Sequence, residues 1–256
     1  MIDRSPPSFA RRFWPLVALG FAGVASLPLA MLPALRLLVR NGYAAGMSLG
    51  ALAALSLIQP ALLVIAGAAV GAAVAPGLGF TSHAAGVNVR GTFAKELPLA
   101  IASGVAIGIV IAVLDFVLFQ QAALQRPAST RAIADGLVGG VLYGGLAEET
   151  MMRWGLMSFV AWVGMRLLAR NASTLPASIG VAAIVIVASL FAAGHLPAAA
   201  MTAPLTSGVV TRTLLLNAVA GLLFGWLFWL RSLESAMVAH ASVHVVFAVA
   251  QLLGWR

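Results

Sequence analysis

Seven apolar stretches make up most of this chain, and their length leaves them one environment, the lipid bilayer. They run at about residues 13–35, 49–80, 97–119, 134–169, 178–195, 213–230 and 235–253. A helix of about 20 apolar residues crosses the hydrocarbon core. In lipid every backbone N–H and C=O must be satisfied within the protein, so only helices and closed barrels span. The short alternating strands of a barrel are absent. The expectation is an all-α polytopic membrane protein of about seven or eight transmembrane helices. Connections are short and no internal repeat is evident, so residues 1–256 read as a single integral membrane domain. Composition agrees: of 256 residues, 62% are hydrophobic and 9% charged, against about 25% charged in a soluble domain. The mean hydropathy is +1.04.

Several classes fall away on the same grounds. There is no cysteine, which removes disulfides, thiolate catalysis and sulfur-ligated metals. The net charge of +8 comes from arginines and one lysine scattered between apolar runs. That pattern fits topology and headgroup contact, with no nucleic-acid partner. The glycines lie inside spanning stretches, not between a strand and a helix, so no nucleotide-binding loop is expected. Arg4, Arg11 and Arg12 precede the first stretch, which is too long for a signal-peptide core. It is expected to be a spanning helix with a cytoplasmic N-terminus, in a multi-pass protein of the inner (cytoplasmic) membrane. The second stretch holds Pro60 and Pro76 and is open to kinking or splitting. The fourth, of about 36 residues, reads as one long helix, a helix broken near Trp154-Gly155, or a span followed by an interfacial helix.

Within the fourth stretch stand Glu148, Glu149 and Arg153. Each charge at the centre of a spanning helix costs about 2.5–3.5 kcal/mol on insertion scales. Such groups are normally retained where they do chemistry or conduct something. Glu149 and Arg153, four residues apart, share a helix face. Glu148 is turned about 100° away. Arg153 is therefore expected to neutralise Glu149, leaving Glu148 free to take and give a proton. Gly136, Gly140 and Gly144 lead in steps of four to Glu148, and Gly145 leads to Glu149. Gly221 and Gly225 repeat the spacing in the sixth stretch. Such faces let membrane helices approach closely.

Three of the four histidines lie in or at the ends of apolar stretches. His195 closes the fifth. His240 and His244, one turn apart in the seventh, present both imidazoles on one face. That spacing suits a metal or proton transfer to a water. His83 falls in a loop and receives no role. Asp115 is expected to line a cavity or pair with an arginine. Tyr143 and Asn217 are expected to hydrogen-bond across helices. Trp154, Trp162, Trp226, Trp229 and Trp255 read as interface anchors or packing.

Taken in order, Glu148-Glu149-x-x-x-Arg153, Phe191-x-x-x-His195 and His240-x-x-x-His244 resemble the three motifs of the CPBP family. These are the CAAX-prenyl-protease and bacteriocin-processing (Abi) intramembrane proteases. The run Gly221 to His240 is also similar to the family's segment before its third motif. The likeness covers about residues 133–250, and the first half matches only as generic membrane helices.

The resemblance implies an endopeptidase that cuts peptide bonds at or within the bilayer, its substrate a peptide or membrane protein. Glu148 would be the general base, with His195 helping to activate the water. His240 would take the water-binding or oxyanion position, with Glu149 and Arg153 as structural support. The last position of the third motif is often Asn in the eukaryote-like CAAX members, and here it is His244. Histidine can donate to an oxyanion and can also bind metal. A zinc ion held by Glu148, His195, His240 and His244 and a metal-free glutamate mechanism are both compatible with these residues. Two other classes stand beside the protease: a non-catalytic immunity or scaffold protein of the same fold, and a proton-coupled transporter.

Overall fold

The computed structural model describes residues 7–42, 44–119 and 129–254. Arg4, Arg126 and Trp255 lie outside the described residues. Among the described residues the chain is helical, with a single isolated bridge, Ser82 to Val87, as its only β contact. The elements are α1 (Phe9–Arg40), α2 (Leu49–Leu78), α3 (Leu97–Leu118), α4 (Thr130–Gly139), α5 (Ser158–Leu168), α6 (Ala177–Gly194), α7 (Leu196–Ala200), α8 (Ser207–Leu230) and α9 (Leu233–Leu252). Between α4 and α5 the rod continues as two π-helical segments, Gly140–Glu148 and Thr150–Met157. Six helical stretches are long and apolar enough to cross a membrane: α1, α2, α3, the α6–α7 run, α8 and α9. The rod from α4 to α5 packs among them, against α1, α2 and α9. The protein is a polytopic all-α membrane protein.

Local chemistry sets the ends of the helices. Ser48, Ser129, Thr206 and Ser232 cap α2, α4, α8 and α9, each side chain accepting from a backbone N–H three residues on. Gly79, at φ +80°, closes α2 in the left-handed conformation that glycine adopts without strain. Pro60 and Pro76 lie inside one 30-residue helix, so the second stretch is neither split nor shortened. The fourth stretch does not break at Trp154-Gly155. Trp154 is fully buried against Gly71, and Gly155 meets Gly67. A Cβ on Gly155 would stand 2.5 Å from the Gly67 Cα, so the two backbones touch there.

Contacts between elements sort the chain into two faces. Leu233 N–H donates to Thr81 O, and the Glu234 carboxylate accepts from Ser82 Oγ and from the N–H groups of His83 and Ala84. The 80–92 loop, the start of α3 and the start of α9 thus share one face. Pro7, beside Gly86, brings the start of α1 there too. A second polar group completes this knot: Glu96 accepts from Ser232 and Ser235 at the start of α9 and meets His83 Nε2 at 3.1 Å. Burial alone would raise the Glu96 carboxyl, but the bonds from Ser232, Ser235 and His83 together outweigh it and hold it below its ordinary value.

At the opposite face Asp115 binds Arg212 by two hydrogen bonds of 2.6 Å, a bidentate pair joining α3 to α8. This is the arginine partnership expected of Asp115. Asn217 does not bridge helices. Its Nδ2 donates to Thr213 O in its own helix. Tyr143 packs against Val24 and Val64.

Candidate active site

The first motif lies in the π-helical rod, whose wider turn still brings Arg153 Nη1 to 3.2 Å from Glu149 Oε1. Both side chains are buried, at 1% and 0% exposure. Arg153 also donates from Nη2 to Gly221 O at 3.2 Å. Its guanidinium stands 4.7 Å from the Phe191 ring centroid and 5.3 Å from that of Phe224. The charge is therefore held by a carboxylate, a carbonyl and two aromatic faces, which is how a cation is kept in an apolar interior. The pairing is not saturated. Glu149 Oε2 and Arg153 Nε are buried without a hydrogen-bond partner among the described residues.

Glu149 Oε1 has a second contact, at 2.8 Å to His240 Nδ1. A carboxylate facing Nδ1 fixes the proton on that nitrogen and turns Nε2 the other way. His240 Nε2 faces Glu148 Oε2 at 3.8 Å, beyond direct hydrogen-bond range. Glu148 keeps 17% exposure, whereas Glu149 has none.

The imidazoles are set by stacking. His240 lies parallel to Phe224, centroids 4.4 Å apart, and His244 parallel to His240 at 5.2 Å. Gly140 and Gly144 make room for them. A Cβ on Gly140 would stand 2.3 Å from His244 Nδ1, and one on Gly144 would stand 2.9 Å from Nε2 of both histidines. Gly145 faces Met237 and Ala241 of the same helix. Gly136 faces open space, so the glycine stripe serves helix contact only from Gly140 onward. In the other stripe Gly221 packs on Ala188 and Phe191, and Gly225 on Ile184.

His195 arrives at the end of α6. Its Nδ1–H donates to Phe191 O at 2.8 Å, leaving Nε2 unprotonated in the neutral ring. Phe191 lies edge-on to both His195, at 4.6 Å, and His240, at 5.9 Å, and so separates and orients the two.

The six motif residues therefore gather around one aromatic frame of Phe191 and Phe224. Among the described residues, no three His, Asp or Glu side chains converge on a point that would hold a metal ion, and this includes Glu148, His195, His240 and His244. As arranged, they do not fit the four-ligand zinc site that their spacing allows.

Residues 130–246 match the family model of Type II CAAX prenyl endopeptidase, Rce1-like. Over these residues the chain is similar to the CPBP (CAAX-protease) family. The match holds all three CPBP motifs and agrees closely with the 133–250 likeness read from the sequence. No curated protein and no solved structure matches the chain.

Sequence reasoning missed Phe224, which stacks on His240 and faces Arg153, and the knot of His83, Glu96 and Glu234. For Phe224 a signal existed: Gly221 and Phe224 are three residues apart, one helix face, in the run before the third motif.

Proposed function

We propose that this CAAX-protease-like membrane protein is an intramembrane endopeptidase that hydrolyses peptide bonds with a water activated by Glu148. The observation that carries this reading is the chain Glu149–His240–Glu148. A buried carboxylate holds His240 by Nδ1, and Nε2 faces a second, partly exposed carboxylate across 3.8 Å. A neutral Nε2 and a carboxylate are both acceptors, and one water donating to each bridges such a gap. Glu148 takes a proton from that water as its oxygen attacks the carbonyl carbon of the substrate. The carbonyl electron pair moves onto oxygen, and Glu148 returns the proton to the leaving amine as the C–N bond breaks. His195, free at Nε2, helps to orient the water. His244, in van der Waals register with His240, is the donor for the oxyanion, the role held by Asn in eukaryote-like members. No step here runs through a metal. The substrate is a peptide or a membrane protein, and the lipid bilayer is the medium.

The charges favour one orientation. Arg11, Arg12, Arg90, Lys95, Arg166, Arg170 and Arg231 lie on the face of the α1 start, against Glu96 and Glu234. The other face carries Arg36, Arg40, Arg131 and Arg212, the last two paired with Asp135 and Asp115. The positive-inside rule puts the first face, with the N-terminus, in the cytoplasm.

The test is proteolysis in lipid vesicles. Membrane peptides, with and without a prenylated C-terminal cysteine, are incubated with the full chain, and new N-termini are sequenced. Wild type is expected to release them and a Glu148→Ala/His195→Ala variant is not. No cleavage of either substrate class by folded wild type, or equal cleavage by the variant, contradicts the reading.

A further inference from the structure

Away from the motifs, a cavity of about 790 Å³ opens between the ends of α2 and α5. Val74, Gly77 and Leu78 of α2 form one wall. Trp162 and Arg166 of α5 form the other, and Arg170, in the turn that follows, closes the rim. The two helices run side by side toward the same face, as the contacts of Gly67 with Met151 and of Gly71 with Trp154 show. The cavity therefore sits where spanning helices leave the membrane, at headgroup level.

Its chemistry is divided between its walls. The α2 wall, Val74, Gly77 and Leu78, is apolar. The rim holds two exposed guanidinium groups, and neither Arg166 nor Arg170 has a carboxylate partner among the described residues. No Asp or Glu lines the cavity. Arg166 is held in place by Trp162, its Cζ 5.3 Å from the ring centroid. A tryptophan at this depth is itself an interfacial residue. Two cations that only complemented the C-terminal dipole of α5 would need no cavity beside them. The volume is that of a site for a drug-sized molecule, far beyond what a lone inorganic anion fills.

We propose that this cavity binds one anionic phospholipid, its phosphate between Arg166 and Arg170 and the start of an acyl chain along Val74 and Leu78. Basic pockets between spanning helices take acidic headgroups, and each basic residue near the surface contributes about fivefold in affinity. The site does not depend on the proposed hydrolysis, and its test reads no activity.

The full chain is purified from nanodiscs of mixed phosphatidylglycerol and phosphatidylcholine, and retained lipid is counted by native mass spectrometry. Wild type is expected to keep about one phosphatidylglycerol per chain in preference to phosphatidylcholine. Arg166→Gln/Arg170→Gln is expected to lower that retention about tenfold or more. Arg36→Gln/Arg40→Gln, at the opposite face, serves as the control and is expected to leave it unchanged. Gly77→Leu fills the cavity while keeping both arginines, since a Cβ there meets nothing within 4 Å. It is expected to lower retention as well. Equal retention by wild type and Arg166→Gln/Arg170→Gln overturns the proposal, as does an equal loss in the control. Displacement of the lipid by millimolar inorganic phosphate alone would make this a free-anion site and also overturn it.

Discussion

Helix α9 meets two pairs of carboxylates, and the pairs are treated in opposite ways. At its start, Glu234 and Glu96 are saturated. Glu234 takes two backbone N–H groups and Ser82, and Glu96 takes Ser232, Ser235 and His83. About two turns further on, at His240, Glu149 is buried with one oxygen unpartnered among the described residues, and Glu148 faces the histidine at 3.8 Å, beyond hydrogen-bond range. A carboxylate whose lone pairs are filled by fixed donors is a structural clamp. One left with acceptor capacity is available to a reacting proton. The carboxylates near the start of α9 are clamped by their donors, and those facing its middle keep unfilled acceptor capacity.

The largest expected effect comes from Arg153→Met. It strips the buried Glu149 of its cation and is expected to cost about 3–5 kcal/mol, read as a lowered Tm in detergent and loss of the folded fraction. A Tm equal to wild type would mean that Glu149 does not need Arg153, and the division between clamp and reactive acid would fail. Gly140→Ala drives a methyl into His244 and is expected to cost about 1–3 kcal/mol, with a fall in kcat larger than any change in KM. If kcat holds, His244 does not touch the reacting atoms.

The smallest effect lies in the knot. The Glu96 carboxyl is held below its ordinary value, so its stabilisation is present above about pH 4 and is lost as the pH falls through the lowered value. Glu96→Gln is expected to flatten the acid limb of the Tm profile below about pH 4 and to leave hydrolysis at neutral pH nearly unchanged. A strong loss of activity at pH 7 would show that the clamp is part of the chemistry.

Much of the site is legible in the sequence because its residues come in local pairs. Glu149 with Arg153 and His240 with His244 are each four apart, and a helix alone puts them on one face. The gathering of the three motifs followed from their order. The contacts that decide roles are not local. Glu149 reaches His240 across 91 residues, and Ser82 reaches Glu234 across 152. No periodicity reports such pairs, so His83 read as a loop residue without a role and nothing singled out Glu96. The π-helical turns were also hidden, because they differ from α turns in the backbone bond, i→i+5 in place of i→i+4, which so short a side-chain pattern does not report. Four imidazole and carboxylate donors at suggestive spacing left a zinc site and a metal-free mechanism both open. In space, no three of these donors converge on one point among the described residues, and the rings of His240 and His244 stack in parallel.

The central claim is that Glu148 reacts while Glu149 supports. The direct measurement is peptide-bond hydrolysis and Tm for Glu148→Gln beside Glu149→Gln, each in the full chain in lipid. The account predicts that Glu148→Gln keeps its Tm and loses at least about 100-fold in kcat, while Glu149→Gln loses Tm and kcat together. Hydrolysis at the wild-type rate by Glu148→Gln, or an equal drop in Tm for both variants, would contradict it.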